Sequence, residues 1–383
     1  MKYVYLDYAA GVDNPSSIHM RGVHAKDALS RARKEISQIL NCHDYEVYFM
    51  PNSTYSIATA LTTADYIITS NIEHTAVLGN IKKYKHLILK VESDGILRPD
   101  TLRQALRDTP LSPSAPSARE GKHNVRVLVT IMYANNEIGT IQKSKEYGRI
   151  IDQHNREHNL GVTNRVLYHI DGSQASRYLD LDVRKLRCDM LTVNSSKCDG
   201  PTGIALLYIK EDIKVYVKPL IVGGSQERGM YSGTENVAGA IGFATALTHA
   251  QSIKVDESAR LLNIRDIFIK KFNDDIAFHI YGSIEQGERL VNNINIRVSG
   301  IPSDEMVIRL DAMGFAVSHQ SACSAQDPDG YVLKAIGATN EESNENIRIT
   351  MGPDTTMDDM DALYTAIMYI YKRYSPHVTH LPA

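Results

Sequence analysis

The chain has 383 residues, 43% of them hydrophobic, which is enough for a large buried core and for one large and one small domain. Its net charge of -3 and charged fraction of 23% give no global electrostatic case for binding nucleic acid or a membrane. The start lacks a secretory apolar stretch, no apolar run reaches membrane-spanning length, and Cys42, Cys188, Cys198 and Cys323 form no CxxC pair, so the expectation is a cytosolic protein without a disulfide framework or a metal site.

In chain order, EVYFM reads as a strand and STYSIATALTTA as a helix opened by Asn52 or Ser53. DYIITS, LILKV, VRVLVTIMY, RVLYHID, MLTVN and GIALLYI are further short runs rich in β-branched and aromatic residues, and helical patterns separate most of them. Such alternation predicts an α/β fold with a mainly parallel seven-stranded sheet covered on both faces. The stretch from Thr109 to Asn124, rich in Pro, Ser and Ala, reads as an exposed loop, and HNLGVTNR as a second. From about residue 255 helices lengthen and strands thin out, giving a smaller α+β C-terminal domain. The predicted division is a large domain over 11–254 and a small one from 1–10 and 255–383. In the last helix Thr355 or Thr356 is the cap, Asp358 and Asp359 sit in the first turn, and Met360, Leu363, Ile367 and Ile370 make the buried face.

In parallel sheets the active site lies beyond the strand ends, so polar residues there matter most. FMPNST puts Ser53 and Thr54 at a strand-to-helix junction, where free N–H groups and hydroxyls suit a phosphate, although a plain N-cap explains them as well. His74 follows the next strand; a lone histidine is usually structural. Asn135, Asn136 and Glu137 follow a strongly apolar strand, where capping is the plainer reading. Asp171 ends another strand, with Gln174 close by. Lys197 sits between two strand-like runs, in TVNSSKCDGPTG. Pyridoxal 5'-phosphate (PLP) would use these together, since it needs a lysine for its Schiff base, an acid for its pyridinium nitrogen and donors for its phosphate. Spacing alone leaves this suggestive.

With YLDYAA, NPSSIH, IEHTAVL, ANNEIGT, HIDGSQ, SSKCDGPTG, GGSQERGMYSGTENV, SACS and IRITMG in that order, nearly the whole chain resembles the NifS/IscS-like cysteine desulfurases, in the class V aminotransferase group of PLP enzymes. The resemblance implies a PLP-dependent transferase of fold type I that converts L-cysteine to L-alanine. Lys197 would bind the cofactor covalently and then act as base. Asp171 would keep the pyridine nitrogen protonated, His74 would stack on the ring and shuttle protons, and Gln174 and Asn136 would contact ring or substrate. Ser53 and Thr54 would hold the phosphate, helped by the positions of Asn194 and Ser196, and Thr234 would reach the phosphate of a partner subunit in a homodimer. Arg348 would clamp the substrate carboxylate. Cys323, among small and polar residues, would receive the sulfur as a persulfide and pass it to a sulfur-acceptor protein. In length and texture the chain looks most like a viral member of the family.

The chain also departs from the family pattern. Asn194 stands for a serine and Ser196 for a histidine, both at the phosphate; Thr202 and Tyr231 stand for basic residues, Tyr55 for a glutamate and Tyr8 for an asparagine. The segment between YLDYAA and NPSSIH lacks a helix-length stretch. Two other readings therefore stay open: another PLP lyase of the same fold, or a degenerate relative acting as a binding or regulatory protein.

Overall fold

A computed structural model describes residues 3–109, 125–272, 276–319 and 330–375. All seven strand-like runs become strands: β1 (Val47–Met50), β2 (Tyr66–Ser70), β3 (Lys85–Leu89), β4 (Val127–Met132), β5 (Leu167–Asp171), β6 (Met190–Asn194) and β7 (Ala205–Ile209). They form one sheet in the order β1-β7-β6-β5-β4-β2-β3. Neighbours from β3 through β6 are parallel, while β7 runs antiparallel to both β6 and β1. Every residue of β1, β4, β5 and β7 is buried, which is why these strands read as unbroken apolar runs rather than alternating ones.

Helices cover both faces. α1 (Met20–Leu40) comes first, then α2 (Ser53–Leu61), α3 (Thr75–Ile81), α4 (Pro99–Arg107), α5 (Ser144–Glu157) and the short α6 (Val183–Leu186). Ile36 and Leu40 of α1, Leu102 of α4 and Ile150 of α5 share one core with inward residues of the sheet. Ile57 and Leu61 of α2 and Val77 of α3 pack into the core on the other face. Asn52 is the cap of α2, its Oδ1 accepting the Tyr55 N–H at 2.9 Å. The segment HNLGVTNR lacks helix and strand, while residues 110–124 of the other expected loop lie outside the described residues.

α7 (Val237–Lys270) has 34 residues, a length of roughly 50 Å. Its first half gives Phe243 and Leu247 to the core of the large sheet. Its second half gives Leu261, Ile264 and Phe268 to a separate core around an antiparallel sheet of β8 (Phe278–Ile280), β9 (Asn293–Val298) and β10 (Asn346–Thr350), in the order β10-β9-β8. α8 (Ser303–Ala312), the short α9 (Tyr331–Ala335) and α10 (Asn340–Ser343), and α11 (Met357–Tyr374) complete this smaller C-terminal part. In α11 Thr356 makes a capping box with Asp359, and Met360, Leu363, Ile367 and Ile370 are buried, as their spacing predicts. Among the described residues no helix is long and apolar enough to cross a membrane.

Candidate active site

β1, β2, β4, β5 and β6 point the same way, so the residues that follow them gather at one edge of the sheet. A cavity of about 410 Å³ opens there. Ser53, His74, Asn136, Asp171, Gln174, Ser196 and Lys197 line it from the large sheet, and Arg348 and residues 350–353 close it from the small one. Asn194 stands just behind, its Nδ2 donating to Ser53 Oγ and its Oδ1 accepting from the Ser196 N–H and Oγ–H, all at 3.1 Å. Thr54 is exposed on α2 and does not line the cavity. Thr234 lines a separate hollow of about 90 Å³ with Glu227 and Tyr231. Cys323 lies outside the described residues.

Asp171 ends β5, in register with Met132 of β4 and Thr192 of β6. It is only 8% exposed, and its Oδ1 accepts the Ser173 N–H at 3.0 Å. Among the described residues no lysine, arginine or histidine forms an ion pair with it. A buried carboxylate without a cation is costly, and one that faces a cavity is suited to a cationic ligand. A larger hollow, of about 640 Å³, opens where β5 and β6 begin, but its buried carboxylate Asp189 is already held by Arg165 at 2.6 Å.

Lys197 sits in a single 3-10 turn, Ser195–Cys198, that joins antiparallel β6 to β7. Asn194 caps this turn and Asp199 ends it in the left-handed region, at φ 61°, a conformation that aspartate tolerates better than most residues. His74 is the N-cap of α3, its Nδ1 accepting the Ala76 N–H at 3.1 Å, which leaves Nε2 to carry the ring proton in the neutral form. In ANNEIGT the two asparagines divide the work. Asn135 Oδ1 accepts from the N–H of Glu137 and Ile138 and so builds the turn, while Asn136 lines the cavity with its Oδ1 buried and unpartnered. Gly139 has φ +71°, and a Cβ there would lie 2.6 Å from Asn293 Oδ1, so this turn requires glycine. Arg348 on β10 donates from Nη1 to Asn136 O at 3.2 Å, and its buried Nε has no partner. Burial lowers the pKa of this guanidinium, and the Glu137 carboxylate opposes that shift.

The model of the family described as aminotransferase class-V matches residues 1–363. The chain belongs to the class V aminotransferases. Its relatives include the cysteine desulfurase IscS of Methanosarcina thermophila, 33% identical across 94% of this chain and 85% of that protein. The IscS of Dictyoglomus turgidum is also 33% identical, across 94% of this chain and 92% of its own length. Among solved structures, a NifS-like protein superposes with a TM-score of 0.80 at 28% identity, covering 93% of this chain and 91% of that one. SspA, solved in complex with cysteine, gives a TM-score of 0.69 at 25% identity, covering 90% and 92%. This class V chain thus has the fold type I architecture of PLP enzymes, and its cofactor is PLP.

The residues present fit that cofactor. The buried, cation-free Asp171 suits a protonated pyridine nitrogen, Lys197 is the lysine that lines the cavity, and Ser53, Asn194 and the N-terminus of α2 offer donors for a phosphate. Ser196 is exposed and short, so the phosphate end holds fewer long donors than the family pattern supplies. Two departures from that pattern meet each other. The Tyr55 and Tyr231 rings pack edge to face with centroids 5.2 Å apart, an uncharged contact where the pattern has a glutamate and an arginine. Asp171, Lys197 and His74 announced themselves by position at strand ends. Arg177, Tyr178, Asn292 and Gly352 also line the cavity and carried no such signal.

Proposed function

We infer that the protein is a PLP-dependent cysteine desulfurase. The observation that carries this reading is the buried Asp171 carboxylate, which forms no ion pair among the described residues, in a cavity that also holds Lys197 and Arg348. The names of its relatives, cysteine desulfurase IscS, support the same reaction here. The retained lysine, acid and arginine favour an active enzyme over a degenerate relative.

When bound, PLP supplies an electron-withdrawing ring that makes the substrate Cα proton acidic and weakens the Cβ–S bond. Asp171 would hold the proton on the ring nitrogen, and His74 would lie against the ring. Arg348 orients the substrate through its carboxylate, with Asn136 and Gln174 beside it. The Lys197 amine takes the Cα proton. Ser53, Asn194 and Ser196 would hold the phosphate, while Thr54, which lies outside the cavity, would not take the part its motif implies. The Cys323 thiolate attacks the substrate sulfur; the Cβ–S bond breaks, an S–S bond forms, and the carbon skeleton takes up protons to leave as alanine. The balance is L-cysteine plus Cys323 thiol giving L-alanine plus Cys323 persulfide, from which an acceptor protein would take the sulfur.

A homodimer is part of the proposal, with Thr234 completing the partner's phosphate site. Its support is the hollow that Thr234 lines apart from the cavity, with apolar side chains such as Leu6, Ile18 and Val222 left exposed on the single chain. The separate core around the small sheet supports a domain division at about residue 254, inside α7, although Tyr281, Val332, Leu333 and Ile336 join a core of the large sheet. The likeness in length and texture extends the proposal to a viral member of the family acting in host cytoplasm or the virion.

The test adds L-cysteine to PLP-loaded protein. The visible absorption band should change within the mixing time of a spectrophotometer and a persulfide should accumulate. The Cys323→Ser variant should keep the spectral change and make no persulfide. A variant that desulfurates cysteine at the parent rate would exclude Cys323 as the acceptor.

A further inference from the structure

Glu73 stands one residue before His74 and is fully buried. Its Oε1 meets Ser70 Oγ at 2.6 Å, and its Oε2 accepts the Met132 N–H at 2.9 Å. The second bond answers a need of the sheet. Successive N–H groups along a strand point to opposite neighbours. The Tyr133 N–H donates to Asp171 O on the β5 side, so the Met132 N–H faces β2. The β2–β4 pairing ends at Thr69 and Thr130, however, and leaves Met132 no strand partner there. The Glu73 side chain supplies the missing acceptor at the point where Met132 begins to line the cavity. The same short segment is tied twice more, by Asn135 Nδ2 donating to Ile72 O at 3.0 Å and Tyr331 Oη donating to Glu73 O at 2.7 Å.

We propose that Glu73 is a positioning residue of the cofactor cavity, whose buried side chain locks the ends of β2 and β4 and so fixes His74 beside Asp171. This rests on the reading of the cavity as a PLP site. Among the described residues no cation pairs with Glu73, and the titratable groups that interact with it are Asp171 on β5 and Tyr147 on α5. Asp171 opposes a second negative charge there, while burial keeps the Tyr147 phenol protonated and uncharged. Burial, with Asp171 adding to it, pushes the Glu73 pKa from 4.5 up to about 8, against the hydrogen bonds from Ser70 and Met132.

The sign follows by linkage. The folded state keeps its proton between pH 4.5 and about 8 while the unfolded chain has released it, so stability falls as pH rises through that window. Glutamine keeps the Met132 bond through its oxygen, can donate to Ser70 Oγ once that hydroxyl turns to accept, and cannot ionise. Thermal melts of the full chain, with and without PLP, should therefore show Glu73→Gln gaining on the parent by about 5 °C between pH 5 and pH 8.5. In PLP titrations Glu73→Gln should match the parent within about twofold at pH 7 and hold its affinity above pH 8, where the parent weakens. Glu73→Ala, which removes both bonds, should bind PLP about tenfold more weakly at every pH, a net loss of about one hydrogen bond. If Glu73→Gln loses affinity as Glu73→Ala does, or follows the parent's pH dependence in the melts, the proposal is overturned. Failure of the parent to bind PLP would instead defeat the cofactor reading, and the melts without PLP would still decide the state of Glu73.

Discussion

Lys197→Ala should remove the visible absorption band of the PLP-loaded protein and reduce cysteine turnover by at least about 10³-fold. Lys197 is the one lysine lining the cavity among the described residues. The turn that carries it is short, capped by Asn194 and closed by Asp199, so no nearby lysine shares its position. A positioned general base alone contributes about 10²–10⁴ in rate, and loss of the covalent anchor adds to that. The variant should keep the melting behaviour of a folded chain, because Lys197 is exposed and forms no ion pair among the described residues. Borohydride reduction of the parent followed by peptide mapping should place the cofactor adduct on Lys197. An adduct on another lysine, with the band intact in Lys197→Ala, would refute the placement of the site.

Arg348→Ala should leave the PLP band unchanged and lower kcat/KM for cysteine by about 10²–10³-fold. The guanidinium sits on a strand rather than a loop, is anchored by one bond to Asn136 O, and keeps Nε unpartnered. Two charge-assisted bonds to a carboxylate, at about 1.5–2 kcal/mol each, correspond to that loss. Arg348→Lys should recover little, since an ammonium cannot reproduce the planar fork. The Asn136 backbone bond holds the guanidinium in place before substrate arrives, so the loss should fall on kcat as well as on KM. A kcat/KM within threefold of the parent would mean that the substrate carboxylate is held elsewhere.

The large sheet was readable from the sequence because burial on both faces turns its inner strands into continuous apolar runs, while the edge strand β3 is mostly exposed. β4 is the clearest case, with six consecutive buried residues. The polar residues that follow such runs gather at one edge whatever the loops between them do, which made Asp171, His74 and Lys197 visible. Glu73 was not visible in the same way. It lies inside a quoted motif, yet nothing in a linear pattern says that a glutamate is buried without a cation or that β2 stops short of Met132. Asn135 and Asn136 are adjacent and chemically identical, and only the turn geometry separates builder from cavity wall. Asn292 and Gly352 reach the cavity through the packing of the small sheet against the large one, which no local signal encodes. Thr234 lines a hollow apart from the cavity, so the role proposed for it requires a second copy of the chain.

The most direct test of the central claim is product analysis of PLP-loaded protein mixed with L-cysteine, without added reductant. Desulfuration by this cavity and Cys323 predicts alanine and protein-bound sulfane sulfur in equal amounts during the first turnover, with further alanine only when a thiol is added to remove the sulfur. Pyruvate and free sulfide in place of alanine would make the protein a lyase of the same fold, and no product from a fully PLP-loaded sample would contradict the assignment.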